Sequence, residues 1–512
     1  MNPLVGCTLT ALLLAVHALV RIFSFRLQAE AEGEDMSQAD KTASGGQAGE
    51  GVDRAAQLMH RMDATQPTAT FKKVMALTSA GVFVDAMDVY LAGGVKSIVW
   101  LVLIILITWT AGLLLGRQNA KTPTNEQTAA FLSAGFLGLF IGSLIAGLIG
   151  DKLGRRKAFQ FNLLLFGFAT ILGALSPNMT FMIAMRFFVG LGLGSELVTS
   201  FSMINEFAPV ARRGRWCAIG STIANCGSPI GMFLCLFFIT IWSPLGQESW
   251  RLVFAVIGVA AIIVCIARQA MPESPRWLIQ HGRFDDAEAI ISRIEHEMRE
   301  AGISPAEQVV FEKSAMDSDA HLARNLFLGI VVVIGTSLTQ YTYTTFGPSI
   351  LKNIGLATQT SLLSTTITML AAPLGALIGA LLIEKLGRRV EVSGAFIWVA
   401  VFAFAYAMAL NAGSTALITL LGFLMTIGFY VLNASVISVY VGELFSTRYR
   451  FRGAGISQGA GKAVNVVMPF AVTWILANLQ PNVIYFGIVA IALVAAAVTL
   501  AIGPETKSRR LG

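Results

Sequence analysis

Charged side chains that stand inside apolar stretches are the residues of this chain with the most informative chemistry. Asp85 and Asp88 lie three residues apart, so on a helix their carboxylates share one face. Two carboxylates close together in a low-dielectric cavity suit reversible proton binding. Glu196 and Lys462 are isolated charges in two further apolar runs. A charge at the centre of a membrane helix costs about 2.5–3.5 kcal/mol on insertion scales, so we expect these residues to have a function.

Each of these residues has more than one interpretation. Asp85 and Asp88 are candidates for proton coupling; the alternative is an acid at a helix end that faces water or caps a neighbouring helix. Glu196 fits either a proton carrier or the partner of a cation. Lys462 fits either a site for a substrate carboxylate or the partner of a buried acid. The surroundings of Lys462 do not form a phosphate-binding loop, because Ala463 stands where that loop needs Ser or Thr.

The composition predicts a membrane protein. Of the 512 residues, 55% are hydrophobic and 13% are charged, whereas soluble domains carry roughly 25% charged residues. The net charge of +7 comes from Lys and Arg in short loops between apolar runs, a pattern of membrane topology rather than of nucleic-acid binding. The five cysteines show no paired spacing, and no nucleophile–base pair appears. We therefore expect no enzyme activity, no metal, no cofactor and no nucleic-acid partner.

Twelve apolar segments form two sets of six around a polar section. A run of about 20 apolar residues spans a hydrocarbon core of about 30 Å, and positive loops mark the cytoplasmic side. We predict an all-α membrane protein with twelve core spans and with its central section and C-terminus in the cytoplasm. The predicted spans lie at about 73–95, 128–150, 158–176, 181–205, 216–240, 252–270, 326–346, 361–383, 391–410, 416–440, 454–477 and 482–503. The predicted domains are an N-terminal region (1–70), a first half (71–270), a central loop with short helices (271–325), a second half (326–503) and a tail (504–512).

Three stretches of the first 120 residues need separate interpretations. Residues 1–24 are apolar and fit a signal-like segment, an extra anchor or a spurious upstream extension, with Met36 as an alternative start. The polar stretch 30–66 has the composition of a disordered segment. The run Ser97–Leu115 is also apolar, but counting it as a crossing would move every later positive loop to the other side. Residues 73–116 should therefore cross the membrane a net odd number of times.

The two halves repeat three motifs at nearly constant spacing. An acidic-Lys-Leu-Gly-Arg-Arg string begins at position 151 and again 233 positions later (384 − 151). A Glu seven residues before an Arg occurs at position 206 and again 237 positions later (443 − 206). The string Pro-Glu-Ser at 272 recurs as Pro-Glu-Thr 232 positions later (504 − 272). Two homologous six-helix halves of this kind enclose a substrate cavity near the bilayer midplane that opens alternately to each side.

These motifs, in this order over about residues 73–507, resemble those of the major facilitator superfamily. The branch they resemble contains sugar porters and related bacterial metabolite:H+ symporters. The resemblance implies salt-bridge networks on the cytoplasmic side that hold the outward-facing state. It also implies that Arg186 lies near the cytoplasmic end of the fourth span, where it anchors the region of Glu443 or, alternatively, binds substrate. The residues of this predicted cytoplasmic gate are Asp151, Arg155, Arg156, Arg186, Glu206 and Arg213 in the first half, and Glu384, Arg388, Arg389, Glu443 and Arg450 in the second.

The resemblance also implies where substrate binds, since the family's usual contacts lie in the seventh and tenth helices. The sequence departs from the sugar-porter pattern, because it lacks the Gln-Leu pair of the fifth helix, the second glutamine of the seventh and the Pro-x-Pro-Trp string of the tenth. The first helix, with Asp85 and Asp88, resembles instead the start of aromatic-acid:H+ symporters and nicotinate-type carriers. A sugar, a polyol and an organic acid all stay open. The predicted substrate-binding residues are Gln340, Tyr341, Thr344, Tyr430, Asn433 and Lys462.

These observations together predict a secondary active transporter of the bacterial inner membrane. It would move a small polar metabolite by alternating access with proton symport, and Asp85, Asp88 and Glu196 would couple the proton. An uncoupled facilitator and a transporter-like sensor that binds without translocation are the alternatives. The expected partners are the substrate, protons and the lipid bilayer, and the expected oligomeric state is a monomer.

Overall fold

The structure is a computed structural model that describes residues 47–89, 124–209, 213–305, 321–445 and 450–506. Within these ranges it is helical, with no β-strand. The apolar segment 1–24, Met36, the run Ser97–Leu115 and residues 507–512 of the tail lie outside the described residues. Their predicted roles stay predictions.

The described helices follow the predicted order of two sets of six. Eleven of them are long and apolar enough to cross a membrane. Ala69–Val89 precedes these eleven and has the position of the first span. The spans, numbered in chain order, are span 1 (Ala69–Val89), span 2 (Asn125–Leu153), span 3 (Arg155–Ala174), span 4 (Met179–Phe207), span 5 (Arg213–Asn225, Gly227–Leu236 and the π-helical turn Phe237–Ile241), span 6 (Trp250–Ala267), span 7 (Leu322–Asn353), span 8 (Thr358–Met369 and Ala371–Leu386), span 9 (Arg388–Ala412), span 10 (Thr415–Leu432, the π-helical stretch Asn433–Tyr440 and Val441–Glu443), span 11 (Arg450–Asn478) and span 12 (Asn482–Ile502).

The surface of these helices is suited to lipid. Large apolar side chains such as Phe168, Leu381 and Val494 are 56%, 59% and 60% exposed. In hydrocarbon no water satisfies backbone groups, so the chain must bond them within each helix. Polar side chains instead cluster in the interior, where Thr78, Ser200 and Thr426 are fully buried. The sequence therefore forms helices that are apolar outside and partly polar inside.

The two halves meet along two pairs of helices. Span 2 packs against span 11, and span 5 packs against span 8. The segment Arg213–Asn225 of span 5 contacts Ala371–Leu386 at the cytoplasmic end. The segment Gly227–Leu236 contacts Thr358–Met369 nearer the outer end. The halves therefore touch on both sides of the membrane centre along this pair.

The N-terminal stretch corrects one expectation. Residues 30–66 have a disordered composition, but Gln47–Asp63 is a helix. Its Leu58 and Met62 are each 2% exposed, in a cluster with apolar residues of the central loop such as Ile291 and Ile294. An amphipathic helix gains its stability from such packing, which the composition of a polar segment alone does not reveal.

Arginines of this N-terminal helix also bind the central loop helix Phe284–Glu300. Arg54 donates to Asp285 at 2.6 Å and to Glu288 at 2.9 Å. Arg61 donates to Glu295 through Nε and Nη2, at 2.9 and 2.8 Å. The N-terminal helix is thus held on the central loop helix by apolar contacts and, beside them, by salt bridges.

Reversing the charge of Arg61 should detach this helix. In Arg61→Glu the new carboxylate would face Glu288 and Glu295, and hydrogen–deuterium exchange of residues 53–63 should become several-fold faster. Arg283→Glu is the matched control, since Arg283 pairs locally with Asp286 and its side chain is 56% exposed. Exchange unchanged in Arg61→Glu would show that the apolar contacts alone hold the helix.

The same contact should respond to acid. Hydrogen bonds from Arg54 and then Arg61 hold the pKa of Glu288 below its ordinary value of 4.5. A lowered pKa means that the contact is complete above the ordinary value and is lost as pH falls through the lowered one. Exchange of residues 53–63 should therefore be flat from pH 7 to about 5, after correction for intrinsic rates, and rise only below the ordinary glutamate value.

Candidate functional site

A buried ion pair joins spans 1 and 4. Arg186 donates from Nη1 to Asp88 Oδ2 at 2.6 Å, with side chains 9% and 0% exposed. The prediction that Arg186 lies at the cytoplasmic end beside Glu443 is wrong. Arg186 is seven residues after the start of span 4 at Met179, about 10 Å of helix, so it lies towards the opposite end of this span from Glu206. Glu443 pairs with Arg388 instead.

A second buried pair joins span 4 to the short turn Arg268–Ala270 that follows span 6. Glu196 lies 2.6 Å from Arg268 Nη1, and both side chains are almost completely buried. The Arg268 guanidinium also donates to the carbonyls of Leu77 and Thr78 in span 1, at 2.9 and 3.0 Å. The sequence analysis did not select Arg268. Its position inside the predicted sixth apolar run is the signal that could have identified it.

Asp85 completes this cluster. It is 2% exposed, and neither of its carboxylate oxygens has a hydrogen-bond partner among the described residues. It lies one helical turn before Asp88, on the same face of span 1. The cluster therefore contains three carboxylates and two guanidiniums in the interior of the first half. With all five side chains ionised, the cluster has a net charge of −1.

Predicted substrate contacts come together in the second half. Asn433 of span 10 donates to Gln340 of span 7 at 3.3 Å, at the start of the π-helical stretch. Tyr341 meets Phe136 of span 2 edge to face, with ring centroids 5.3 Å apart, so this contact crosses between the halves. The Thr344 hydroxyl donates to the Gln340 carbonyl at 2.9 Å. These residues lie where spans 2, 7 and 10 approach one another.

The remaining two predicted contacts have different surroundings. Tyr430 is fully buried and lies beside Gly375 of span 8, so it packs within the second half. Lys462 of span 11 is only half-buried. No acid among the described residues pairs with it, so within that part of the chain its interpretation as the partner of a buried acid finds no support.

The ends of both halves that are predicted to face the cytoplasm carry the same ion pair. Arg155 Nε donates to Glu206 at 3.0 Å, and Arg388 Nε donates to Glu443 at 3.0 Å. The Thr506 hydroxyl also donates a hydrogen bond to Glu443, at 2.5 Å. Each pair ties the start of one span to the end of the next, and the same contact occurs in both halves.

The Pro-Glu-Ser/Thr motifs supply a second repeated contact, which the sequence analysis did not assign. Glu273 accepts the backbone N–H of Arg156 at 3.0 Å. Glu505 accepts the backbone N–H of Arg388 at 2.9 Å and of Arg389 at 3.2 Å. These amides begin spans 3 and 9, where unpaired N–H groups and the helix dipole favour an anion. The carboxylates therefore fasten the ends of spans 6 and 12 to the starts of spans 3 and 9.

The glycine before each of these helices makes the contact possible. Gly154 and Gly387 have φ values of +91° and +88°, in the region that side chains disfavour. A Cβ on Gly387 would also lie 2.6 Å from Glu505 Oε2. Arg156 and Arg389 donate from their side chains to the carbonyls of Gln269 and Leu500 and complete the same arrangement. The side chains of four further gate candidates lie outside the described part of the structure: Asp151, Arg213, Glu384 and Arg450.

Comparison with known proteins decides the family. The family model described as "Sugar (and other) transporter" matches residues 97–512. The chain belongs to that family. A putative metabolite transport protein, YdjK of Escherichia coli, is 32% identical over 79% of this chain and 90% of its own length. The niacin transporter NiaP of Acinetobacter baylyi is 28% identical over 76% of this chain and 88% of its own length.

A solved structure shows the same fold for this transporter. The major facilitator superfamily proton:xylose symporter XylE, bound to a bromo-deoxyglucose, superimposes with a TM-score of 0.62 at 18% identity. The match covers 86% of this chain and 98% of the other. The protein is therefore a multi-pass membrane transporter of metabolites with the major facilitator fold, and not an enzyme.

Arg268 should be the most sensitive charge of the buried cluster. Arg268→Met leaves Glu196 as a buried charge without its counter-ion, which costs about 3–5 kcal/mol. The melting temperature of the purified transporter in detergent should fall accordingly. The double variant with Glu196→Gln should recover part of that loss. Arg299→Met on the exposed side of the loop helix is the control and should change stability by no more than about 1 kcal/mol. A double variant as unstable as Arg268→Met would contradict the assignment of the pair.

Proposed function

We propose that this transporter moves a small polar metabolite together with a proton by alternating access. The observation that carries the proposal is the surplus carboxylate in the buried cluster of Asp85, Asp88, Glu196, Arg186 and Arg268. An unpaired buried carboxylate is far cheaper in its neutral form, so the cluster has a place for one proton. An uncoupled channel-like path would have no need of such a cluster.

The geometry supports a sequence of proton positions. In the present arrangement the proton resides on Asp85, whose oxygens receive no hydrogen bond from a described residue. Asp88 lies one turn further along the same face and is held by Arg186. A proton that moves to Asp88 neutralises the carboxylate and weakens its bond to Arg186. Spans 1 and 4 are then free to shift against each other, which links proton binding to opening of the cavity.

The cytoplasmic contacts support movement of each half as a unit. The pairs Arg155–Glu206 and Arg388–Glu443, with Glu273 and Glu505, connect the ends of neighbouring spans within one half. In the proposed cycle they form the cytoplasmic gate when the transporter faces outward. Substrate would bind between the halves, where Gln340, Asn433 and Tyr341 lie close to span 2.

The names of the comparison proteins support a range of substrates. One relative is named a niacin transporter and the solved structure a proton:xylose symporter. The proposed substrate is accordingly a sugar, a polyol or an organic acid.

The proton assignment is tested by uptake into proteoliposomes with and without a pH gradient. Asp85→Asn should lose gradient-driven accumulation of the substrate and keep counterflow, because the neutral cluster no longer needs a proton. Asp88→Asn should also slow counterflow, because Arg186 loses its charged partner in a buried place. Asp286→Asn is the control, since this loop aspartate has a side chain that is 55% exposed.

Each other outcome has a definite meaning. Counterflow that ignores the pH gradient in the unchanged protein would leave an uncoupled facilitator. Binding of substrate without counterflow would identify a sensor. Full gradient-driven accumulation in Asp85→Asn would refute the place given to the proton.

The gate assignment is tested at the two equivalent glutamates. Glu206→Gln and Glu443→Gln each weaken one cytoplasmic ion pair, and the repeat predicts similar effects in the two halves. The maximal counterflow rate should fall about tenfold, while the dissociation constant for the substrate stays within about twofold. Glu248→Gln is the control, because Glu248 forms a comparable pair with Arg251 on the outer side. Loss of binding without loss of rate would place these glutamates in the substrate site instead.

A further inference from the structure

Lys462 faces the interior of the protein, as its neighbours on span 11 show. Gly459 lies against Phe140 of span 2. Gln458 donates to the Ile437 carbonyl of span 10 at 3.3 Å. Successive residues of an α-helix are rotated by about 100°, so around the helix axis Lys462 lies between Gln458 and Gly459. Its side chain is therefore directed to the space between spans 2 and 10, at the boundary of the two halves.

The other faces of span 11 are already accounted for. Gly461 packs against Val333 and Ser337 of span 7. Ile456, Phe470 and Trp474 are 41%, 38% and 56% exposed, on the face towards lipid. The interior face contains Lys462 and Asn465, which is 1% exposed and has no hydrogen-bond partner for Oδ1 among the described residues. Two polar side chains one turn apart thus lie on this face, and each can form further hydrogen bonds with a ligand.

Lys462 has no carboxylate to balance it in the described part of the chain. The interior acids Asp88 and Glu196 each have an arginine of their own. The buried Glu391 of span 9 accepts the Ser435 hydroxyl of span 10 at 2.5 Å. Asp85 belongs to the same cluster in the first half. An ammonium without a counter-ion inside the membrane is expensive, so such residues pair with another charge or mark the path of a ligand. A half-buried lysine at the boundary of the halves fits the second case.

The side chains near this boundary suit a ligand with a charge and a polar body. Gln340 and Asn433 bond to each other at 3.3 Å and offer both amide donors and acceptors. Phe136 and Phe140 are four residues apart on span 2, and they meet Tyr341 and the backbone of span 11. The arrangement offers a cation, amides and an aromatic wall.

From these observations we propose that Lys462 binds the carboxylate of the substrate, and that the substrate is a small monocarboxylic acid. The inference rests on the proposed function and selects one of its three substrate classes. One lysine supplies one positive charge, which matches one carboxylate rather than two. A monoanion carried with one proton makes the coupled step electroneutral. A neutral sugar carried with one proton would move one positive charge per cycle.

The test uses proteoliposomes and a fixed set of labelled probes: lactate, benzoate and nicotinate as monocarboxylates, and xylose and myo-inositol as neutral compounds. The unchanged protein should take up at least one monocarboxylate, driven by a pH gradient and insensitive to a potassium–valinomycin potential. Lys462→Gln should weaken binding of that probe at least tenfold, and Lys462→Arg should restore most of it. Lys352→Gln, at the exposed end of span 7, is the matched control.

The possible failures are distinguishable. Potential-driven uptake of a neutral probe, with an unchanged dissociation constant in Lys462→Gln, would overturn this inference and leave proton symport intact. Uptake of a monocarboxylate with normal affinity in Lys462→Gln would also overturn it. Binding of a monocarboxylate without counterflow by the unchanged protein would refute the proposed function, whereas no binding of any of the three monocarboxylates would overturn this inference. If Lys462→Gln does not fold, the response of the unchanged protein to the potential decides the question.

Discussion

The structure depends on one constraint, which is that hydrocarbon offers no water to satisfy a charge or a peptide group. The constraint makes every span a helix. It also requires that Asp88 and Glu196 find partners inside the first half, where Arg186 and Arg268 lie within 2.6 Å of them. Arg268 in turn bonds to backbone carbonyls of span 1. The buried charges thereby join spans 1 and 4 to the end of span 6, and they form a polar interior in the first half.

At the predicted cytoplasmic surface, carboxylates bind backbone groups at the starts of helices. There the repeated motifs place carboxylates at the starts of spans 3 and 9, where Glu273 and Glu505 accept backbone N–H groups. Beside them Arg155 and Arg388 pair with the glutamates at the ends of spans 4 and 10. Each half is therefore fastened at one end by contacts that are copied in the other half. Two six-helix halves that are each held together in this way are suited to rocking against each other about a central site.

The candidate site was only partly predictable from the sequence. Gln340 and Asn433 were expected by position and do meet, but their distance of 3.3 Å depends on how spans 7 and 10 cross. Arg186 was misplaced because a motif gives position along the chain and not depth in the membrane. The contacts of Arg268 and Glu273 were not assigned because their partners lie far away in sequence, in spans 1, 3 and 4. The helix Gln47–Asp63 was misread as disordered because its stability comes from apolar residues of the distant central loop.

The sequence by itself determined the class of molecule: apolar runs of membrane length, positive loops on alternate sides and motifs repeated 232 to 237 positions apart (504 − 272 and 443 − 206) leave little choice of fold. These signals are local or periodic, so they survive without coordinates. Only the tertiary structure decided which charges are paired. Pairing depends on the rotation and depth of packed helices. A shift of one residue along a helix rotates a side chain by about 100°, which would turn Asp88 away from Arg186. The same shift in span 11 would direct Lys462 towards a different helix. Asp85 and Lys462 stand out for this reason, since packing leaves both without a partner among the described residues.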